Sequence, residues 1–284
     1  MRLGFHVSIS GSIDKAVDRA SEKGCNTFQI FTRNPRGWQF KGLIQEETEA
    51  FIEKVERFEM DPVFGHMPYL PNLASPQEDT YKKSVESLIT ELTRCGKLKI
   101  PYLVTHLGSH LEAGKPAGFE RIINAIDTAL STMSGDVLLL LENTAGTKNS
   151  MGGSFDDIQY IIEHLDKPMH VGVCFDTCHG FAAGYDLRTE DAVKATIEKF
   201  DEVIGFEKLK VVHLNDSVGD LDSHVDRHEH IGMGKIGEEG FKNVLRSRLG
   251  QLPLILETPI NNRRTDWDNL KKVRELADEK LSIH

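Results

Sequence analysis

Six times along this chain a short apolar run ends on a histidine or an acid. The central case is Val171-Gly172-Val173-Cys174-Phe175, which runs into Asp176, with His179 three residues further on. Pro168 and Gly180 bound it. A short, uninterrupted apolar run of this kind reads as a parallel strand buried on both faces. The other five runs end on His66, His106, Glu142, His213 and Glu257. A core strand that stops on imidazole or carboxylate places metal-ligand chemistry at the mouth of a core.

Between the runs lie helical patterns. Strands are expected at Leu3–Ser8, Thr27–Thr32, Pro62–Met67, Pro101–Leu107, Val137–Leu141, from Val171, at Lys210–Asn215 and at Pro253–Thr258. Ser12 reads as the N-cap of a first helix that Gly24 stops. Further helices are expected at about 45–58, 76–95, 118–133, after Ser154, after Thr189, at 238–249 and at 266–281. Ser154 with Asp157 resembles a capping box. Eight strands alternating with eight helices predict an α/β fold, a (β/α)8 TIM barrel with right-handed crossovers. A doubly wound sheet has the same alternation. The ring is favoured because acids and histidines on six strand ends meet only if the strands close. No linker or low-complexity stretch divides the chain, so one domain over 1–284 is expected.

Four scattered cysteines (Cys25, Cys95, Cys174, Cys178) do not make a disulfide framework and point to a reducing cytoplasm. No signal peptide or membrane span is read. The net charge of −10 by itself argues against a nucleic-acid partner. Three divalent cations would change it to −10 + 6 = −4 and concentrate positive charge at one place, so net charge does not decide the partner.

In a barrel all six strand ends lie on the C-terminal face, where active sites sit. Loops on that face add His179, Asp226 and His228. Five imidazoles and four carboxylates suit zinc or manganese better than calcium or magnesium. A single histidine at a strand end is commonly an ordinary polar terminus, and Asp-x-His is a weak motif. Six ionisable groups around one barrel mouth are different: without a counter-charge each would cost several kcal/mol, on the order of what burying an ion costs. Cys174 and Cys178 read as structural thiols.

Several blocks then carry a resemblance: Leu141-Glu142-Asn143-Thr144-Ala145-Gly146, Cys174-Phe175-Asp176-Thr177-Cys178-His179, Ala182-Ala183-Gly184-Tyr185-Asp186, His213-Leu214-Asn215-Asp216 and Asp226-Arg227-His228. In this order they resemble the endonuclease IV family of apurinic/apyrimidinic endonucleases, over essentially the whole chain. The resemblance implies a TIM barrel with three zinc ions, manganese being an alternative at one position. It implies His66, His106 and Glu142 on the first ion. Glu142 would bridge to a second, completed by Asp176, His213 and Glu257, and His179, Asp226 and His228 would hold the third. The implied activity is hydrolysis of the DNA backbone on the 5′ side of an abasic site by a metal-bound hydroxide, with Glu142 as the catalytic carboxylate. The products are a 3′ hydroxyl and a 5′ deoxyribose phosphate, and the role is base excision repair.

The resemblance also implies that Arg36 and Trp38, then Tyr69 and Leu70, enter double-stranded DNA at the lesion. On the residues alone, Trp38 and Leu70 read as packing of the barrel rim. A monomer is expected. The competing enzyme is a sugar isomerase or epimerase built on a xylose-isomerase-like barrel, which needs only Glu142, Asp176, His213 and Glu257 around one manganese. His179, Asp226 and His228 would then have no use. A non-catalytic damage-binding barrel would not need the full donor set.

Overall fold

In the computed structural model, residues 1–133 and 135–278 are described. The chain forms β1 (Leu3–Phe5), β2 (Phe28–Phe31), β3 (Val63–His66), β4 (Tyr102–Thr105), β5 (Leu138–Glu142), β6 (Val171–Asp176), β7 (Leu209–His213), β8 (Asp216–Ser217), β9 (His228–Glu229) and β10 (Leu254–Leu256). Eight of these pair in parallel, in the order β1-β10-β7-β6-β5-β4-β3-β2, which is chain order around a ring. A parallel bridge between His6 and Gln29 closes β1 onto β2, where the Val7 N–H donates to the Gln29 carbonyl at 2.8 Å. The expected barrel is therefore the fold, and the doubly wound alternative is excluded.

The helices are α1 (Lys15–Glu22), α2 (Gln45–Arg57), α3 (Glu78–Lys97), α4 (Lys115–Thr132), α5 (Phe155–Glu163), α6 (Thr177–Ala182), α7 (Glu190–Val203), α8 (Gly237–Arg246) and α9 (Asp266–Asp278). Ser154 and Thr189 cap as their positions suggest, accepting from the N–H of Asp157 and of Ala192. Ser12 does not cap α1: its hydroxyl donates to the Asp14 carboxylate instead. α4 starts earlier than expected, with a proline in its first turn. The short helix α6 stands where the sequence reads as a loop carrying His179. Its cap is Asp176, whose carboxylate accepts the His179 N–H at 2.8 Å. The antiparallel ribbon β8–β9 was also unforeseen. The expected end of the last helix, Leu281, lies outside the described residues.

Side chains alternate inward and outward along each strand. Inside the barrel, Phe64, Val104, Leu140, Cys174, Val211 and Ile255 form one buried apolar layer. Two residues further along each strand comes His66, His106, Glu142, Asp176, His213 or Glu257. The functional layer thus sits on a dry floor. Gly172 is required beside it: a Cβ there would fall 2.9 Å from Leu140 Cδ2 and 2.8 Å from the Lys208 carbonyl oxygen.

One buried ion pair fixes the loop after β2. Arg33 Nε donates to Glu91 Oε1 on α3 at 2.5 Å, with side chains 3% and 0% exposed. The same guanidinium reaches the carbonyls of Gly37 and Trp38. Glu91→Ala should strand a buried cation and destabilise the protein by about 3–5 kcal/mol. The measurement is a denaturant midpoint at constant m. A drop below about 1 kcal/mol would show that Arg33 finds water or another partner.

Candidate metal centre

The nine donors gather into three groups on the barrel mouth, and the ligand atoms within each lie within 4.8 Å of one another. In the first, His66 Nε2 and His106 Nε2 are 3.3 and 3.4 Å from Glu142 Oε2. In the second, His213 Nδ1 is 3.0 Å from Glu142 Oε1, 3.4 Å from Glu257 Oε2 and 4.0 Å from Asp176 Oδ2. In the third, His179 Nε2 is 3.0 Å from Asp226 Oδ1, with His228 alongside. Glu142 turns one oxygen to each of the first two groups.

The outer nitrogens decide what the inner ones offer. His66 Nδ1 lies 2.7 Å from the Met67 carbonyl, His179 Nδ1 3.0 Å from the Asn143 carbonyl, and His228 Nδ1 3.1 Å from the Glu257 carbonyl. His213 Nε2 lies 2.9 Å from Gln29 Oε1. A carbonyl oxygen only accepts, so each of these nitrogens carries the proton. In the neutral ring the other nitrogen is then a lone pair, and it faces a carboxylate. Lone pair against carboxylate is repulsive, and either a metal cation or, in the metal-free protein, a second ring proton relieves it, as on His179 below. Among the described residues, His228 Nε2 is buried with no hydrogen-bond partner and lies 3.4 Å from Asp176 Oδ2. This is the arrangement of ligating histidines oriented by a second hydrogen bond, and the donor set fits divalent metal ions.

The carboxylates are held in place as well. Asn215 Nδ2 donates to Asp176 Oδ2 at 2.7 Å, and Gln29 Nε2 donates to Glu257 Oε1 at 2.7 Å. Burial opposes charge on Glu142, yet His106 and His213 keep its carboxyl well below the usual carboxylate range. Burial likewise opposes a proton on His179, but Asp176, Asp226 and Glu142 outweigh it and lift the imidazole to about 10. His179 is therefore raised above its ordinary value of 6.5. In the metal-free protein its contribution to stability is fully present below pH 6.5 and is lost as pH rises through about 10. Chemical denaturation of chelator-treated protein across this window should show falling stability, and His179→Gln should flatten the fall. An unchanged slope in that variant would mean another group titrates.

The comparisons with known proteins identify the family. Residues 17–279 match the family model described as a xylose isomerase-like TIM barrel. The chain is 55% identical over 277 residues to a probable endonuclease 4 of Methanoculleus marisnigri, covering 97% of this chain and 98% of that protein. It is 50% identical to the probable endonuclease 4 of Nitrosopumilus maritimus, over 98% of this chain and all of that one. The crystal structure of endonuclease IV from Thermus thermophilus superposes with a TM-score of 0.86 at 37% identity, over 98% and 100% of the two chains. The chain belongs to the endonuclease IV family. It is accordingly an enzyme, a hydrolase of the endonuclease type. A D-tagatose 3-epimerase-like protein shares the barrel at 19% identity and a TM-score of 0.73, a likeness of fold alone.

Around the mouth of this endonuclease, the four residues expected to touch DNA are placed differently from one another. Tyr69 is 65% exposed and lines the open cavity of about 470 Å³ over the donors, its ring edge-on to Phe31 at 4.9 Å. Arg36 is exposed and lines the adjoining cleft with Tyr69 and Ile260. Leu70 is exposed beside Tyr69, and Trp38 is half-buried. Neither of these two lines the cavity among the described residues. Cys174 belongs to the apolar layer below, where burial pushes its thiol to about 12, and Cys178 is buried on α6.

The structure adds residues that the sequence pattern passed over. His6, at the end of β1, obeys the same strand-end rule as the six donors and lines the cavity. Gln29, Asn143 and Asn215 carry no such signal, because amides are ordinary on strands and in loops. Ile260, 98% exposed on the cavity rim, is a lone apolar residue in a polar loop.

Proposed function

We propose that this chain is a DNA repair endonuclease that hydrolyses the backbone on the 5′ side of an abasic site, leaving a 3′ hydroxyl and a 5′ deoxyribose phosphate. The observation that carries the reading is the set of nine donors on one mouth, with imidazole nitrogens turned toward carboxylates. His66, His106 and Glu142 would hold a first zinc, and Asp176, His213 and Glu257 with the second oxygen of Glu142 would hold another. His179, Asp226 and His228 would hold a third ion, zinc or manganese. When bound, such cations neutralise phosphate charge and make a water acidic enough to attack at neutral pH.

The protein's own part is placement. Glu142 joins two of the groups and is buried, so it positions both together and is the catalytic carboxylate of this reading. Four carboxylates against three divalent cations leave the mouth positive, which suits a phosphodiester in spite of a chain charge of −10. Tyr69 and Leu70, with Arg36 and Trp38 on the neighbouring loop, would meet the duplex around the lesion. An abasic nucleotide lacks stacking and is the cheapest to turn out of the helix. We read the chain as one domain over 1–284, a monomer acting in the cytoplasm. Four buried free cysteines are consistent with a reducing compartment.

Elemental analysis of the natively purified protein should give about three zinc, or zinc plus manganese, per chain, as three donor sets imply. Asp226 has a side chain 54% exposed, whereas that of Glu142 is fully buried. The third ion should therefore leave first under a chelator. One ion per chain with full incision of abasic DNA would refute the three-ion reading.

A further inference from the structure

We infer that Ile260 is a specificity-determining residue, which packs its side chain against sugar and base faces of the nucleic acid at the lesion. This rests on the endonuclease reading above and adds a residue to it. Ile260 is 98% exposed, in the loop between β10 and α9. It lines the cavity over the donors and also the adjoining cleft, in both cases together with Tyr69. Tyr69 is itself largely exposed, so two large side chains with apolar surface stand at one opening. A single exposed aliphatic residue is ordinary on a protein surface. This one is set apart by how its loop is held and by what else that loop presents.

The backbone is fixed on both sides of Ile260. Thr258, two residues before it, is buried. Asn261, directly after it, accepts at Oδ1 from the Arg263 N–H at 2.9 Å, and the same oxygen lies 3.0 Å from Nε2 of the fully buried His230. The other ring nitrogen of His230 lies 2.9 Å from Asn269 Nδ2 on α9. A neutral ring protonated on Nε2 satisfies both amides. An apolar side chain is thus presented to solvent on a tethered loop, so a partner that covers it meets little ordering cost. The two cations of the loop already have partners in the protein. Arg263 forks onto both oxygens of Glu229 at 2.9 and 2.6 Å, and Arg264 donates to the Ile231 carbonyl. The exposed side chain at Ile260 therefore has neither charge nor hydrogen bond for a phosphate. Sugar and base faces are the parts of a duplex that suit apolar surface, and they are opened where a base is missing.

The test uses metal-loaded wild type, Ile260→Ala and Ile260→Leu. At 98% exposure Ile260 has next to no packing to lose, so the denaturant midpoint and the metal content should match wild type in both variants. In Ile260→Ala, kcat/KM for incision of abasic duplex should fall by about 5–50-fold, the loss of most of one isoleucine's apolar contact. Ile260→Leu keeps the apolar volume and should keep most of the wild-type value. Intact duplex, added as a competitor, should inhibit all three proteins at closely similar concentrations, because backbone contacts hold it. Unchanged kcat/KM in Ile260→Ala overturns the inference. So does an equal weakening on intact duplex, which would place the contact away from the lesion, and so does a loss that comes with a lower midpoint or with departure of metal. Wild-type protein that leaves abasic duplex uncut would refute the endonuclease reading itself, and this inference with it, before any variant is compared.

Discussion

Glu142→Ala is expected to lose abasic-site incision by roughly a thousandfold or more while the barrel still folds. Loss of a residue that only supports a metal ligand typically costs about 10–100-fold. Glu142 is in a different position. Its Oε2 faces His66 and His106, and its Oε1 faces His213. Removing it takes one donor from each of two sets and leaves their imidazole lone pairs without the shared carboxylate. Metal at the first two positions should fall, whereas the set of His179, Asp226 and His228 lacks Glu142 and should keep its ion. Folding should persist because the layer below, from Phe64 to Ile255, is complete without it. Circular dichroism, metal content and incision are measured on the same preparation with metal supplied at stoichiometric levels. Near-normal turnover under those conditions would show that Glu142 does not join the two groups.

The donor set was legible because a barrel strand has a period of two. Val104 predicts that His106 points inward, Leu140 does so for Glu142, and Ile255 for Glu257, whether or not the regular strand extends that far. β4 stops at Thr105 and β10 at Leu256, and the inward parity continues past both. His6 follows the same rule and was still passed over, since β1 carries little apolar sequence to mark its end. The loop reading of His179 hides α6, because Asp176 reads as a ligand and its simultaneous use as a helix cap depends on backbone geometry. Gln29 and Asn215 were illegible for another reason. Gln29 contacts His213 184 positions away and Asn215 contacts Asp176 39 positions away. Nothing local distinguishes either amide from one that faces solvent. The β8–β9 ribbon is two residues per strand, below what any periodic pattern can show.

Replacing Tyr69 and Leu70 together by Ala should weaken binding to abasic duplex several-fold to about a hundredfold, the equivalent of roughly 1–3 kcal/mol of stacking and wedge contact. Neither side chain can hold zinc well, and neither carries charge to meet a phosphate. Both project from the loop that follows β3, which ends on His66, so the loop overhangs the donors. Tyr69 is held from behind: its N–H donates to the Pro35 carbonyl at 3.3 Å and its ring rests on Phe31. It is therefore set in place before DNA arrives, which reduces the ordering cost of the contact. Leu70 is 39% exposed, so it has surface to give to a duplex. The loss should fall on abasic duplex far more than on intact duplex, which is held mainly by salt-dependent backbone contacts. Metal content should not change. The experiment is a titration of wild type and the double variant against both duplexes at one fixed salt concentration. Equal weakening on both would mean that this loop touches only backbone or packs the rim. Lesion selection would then belong to Arg36, which lines the neighbouring cleft, and to Trp38, whose loop the Arg33–Glu91 pair holds in position.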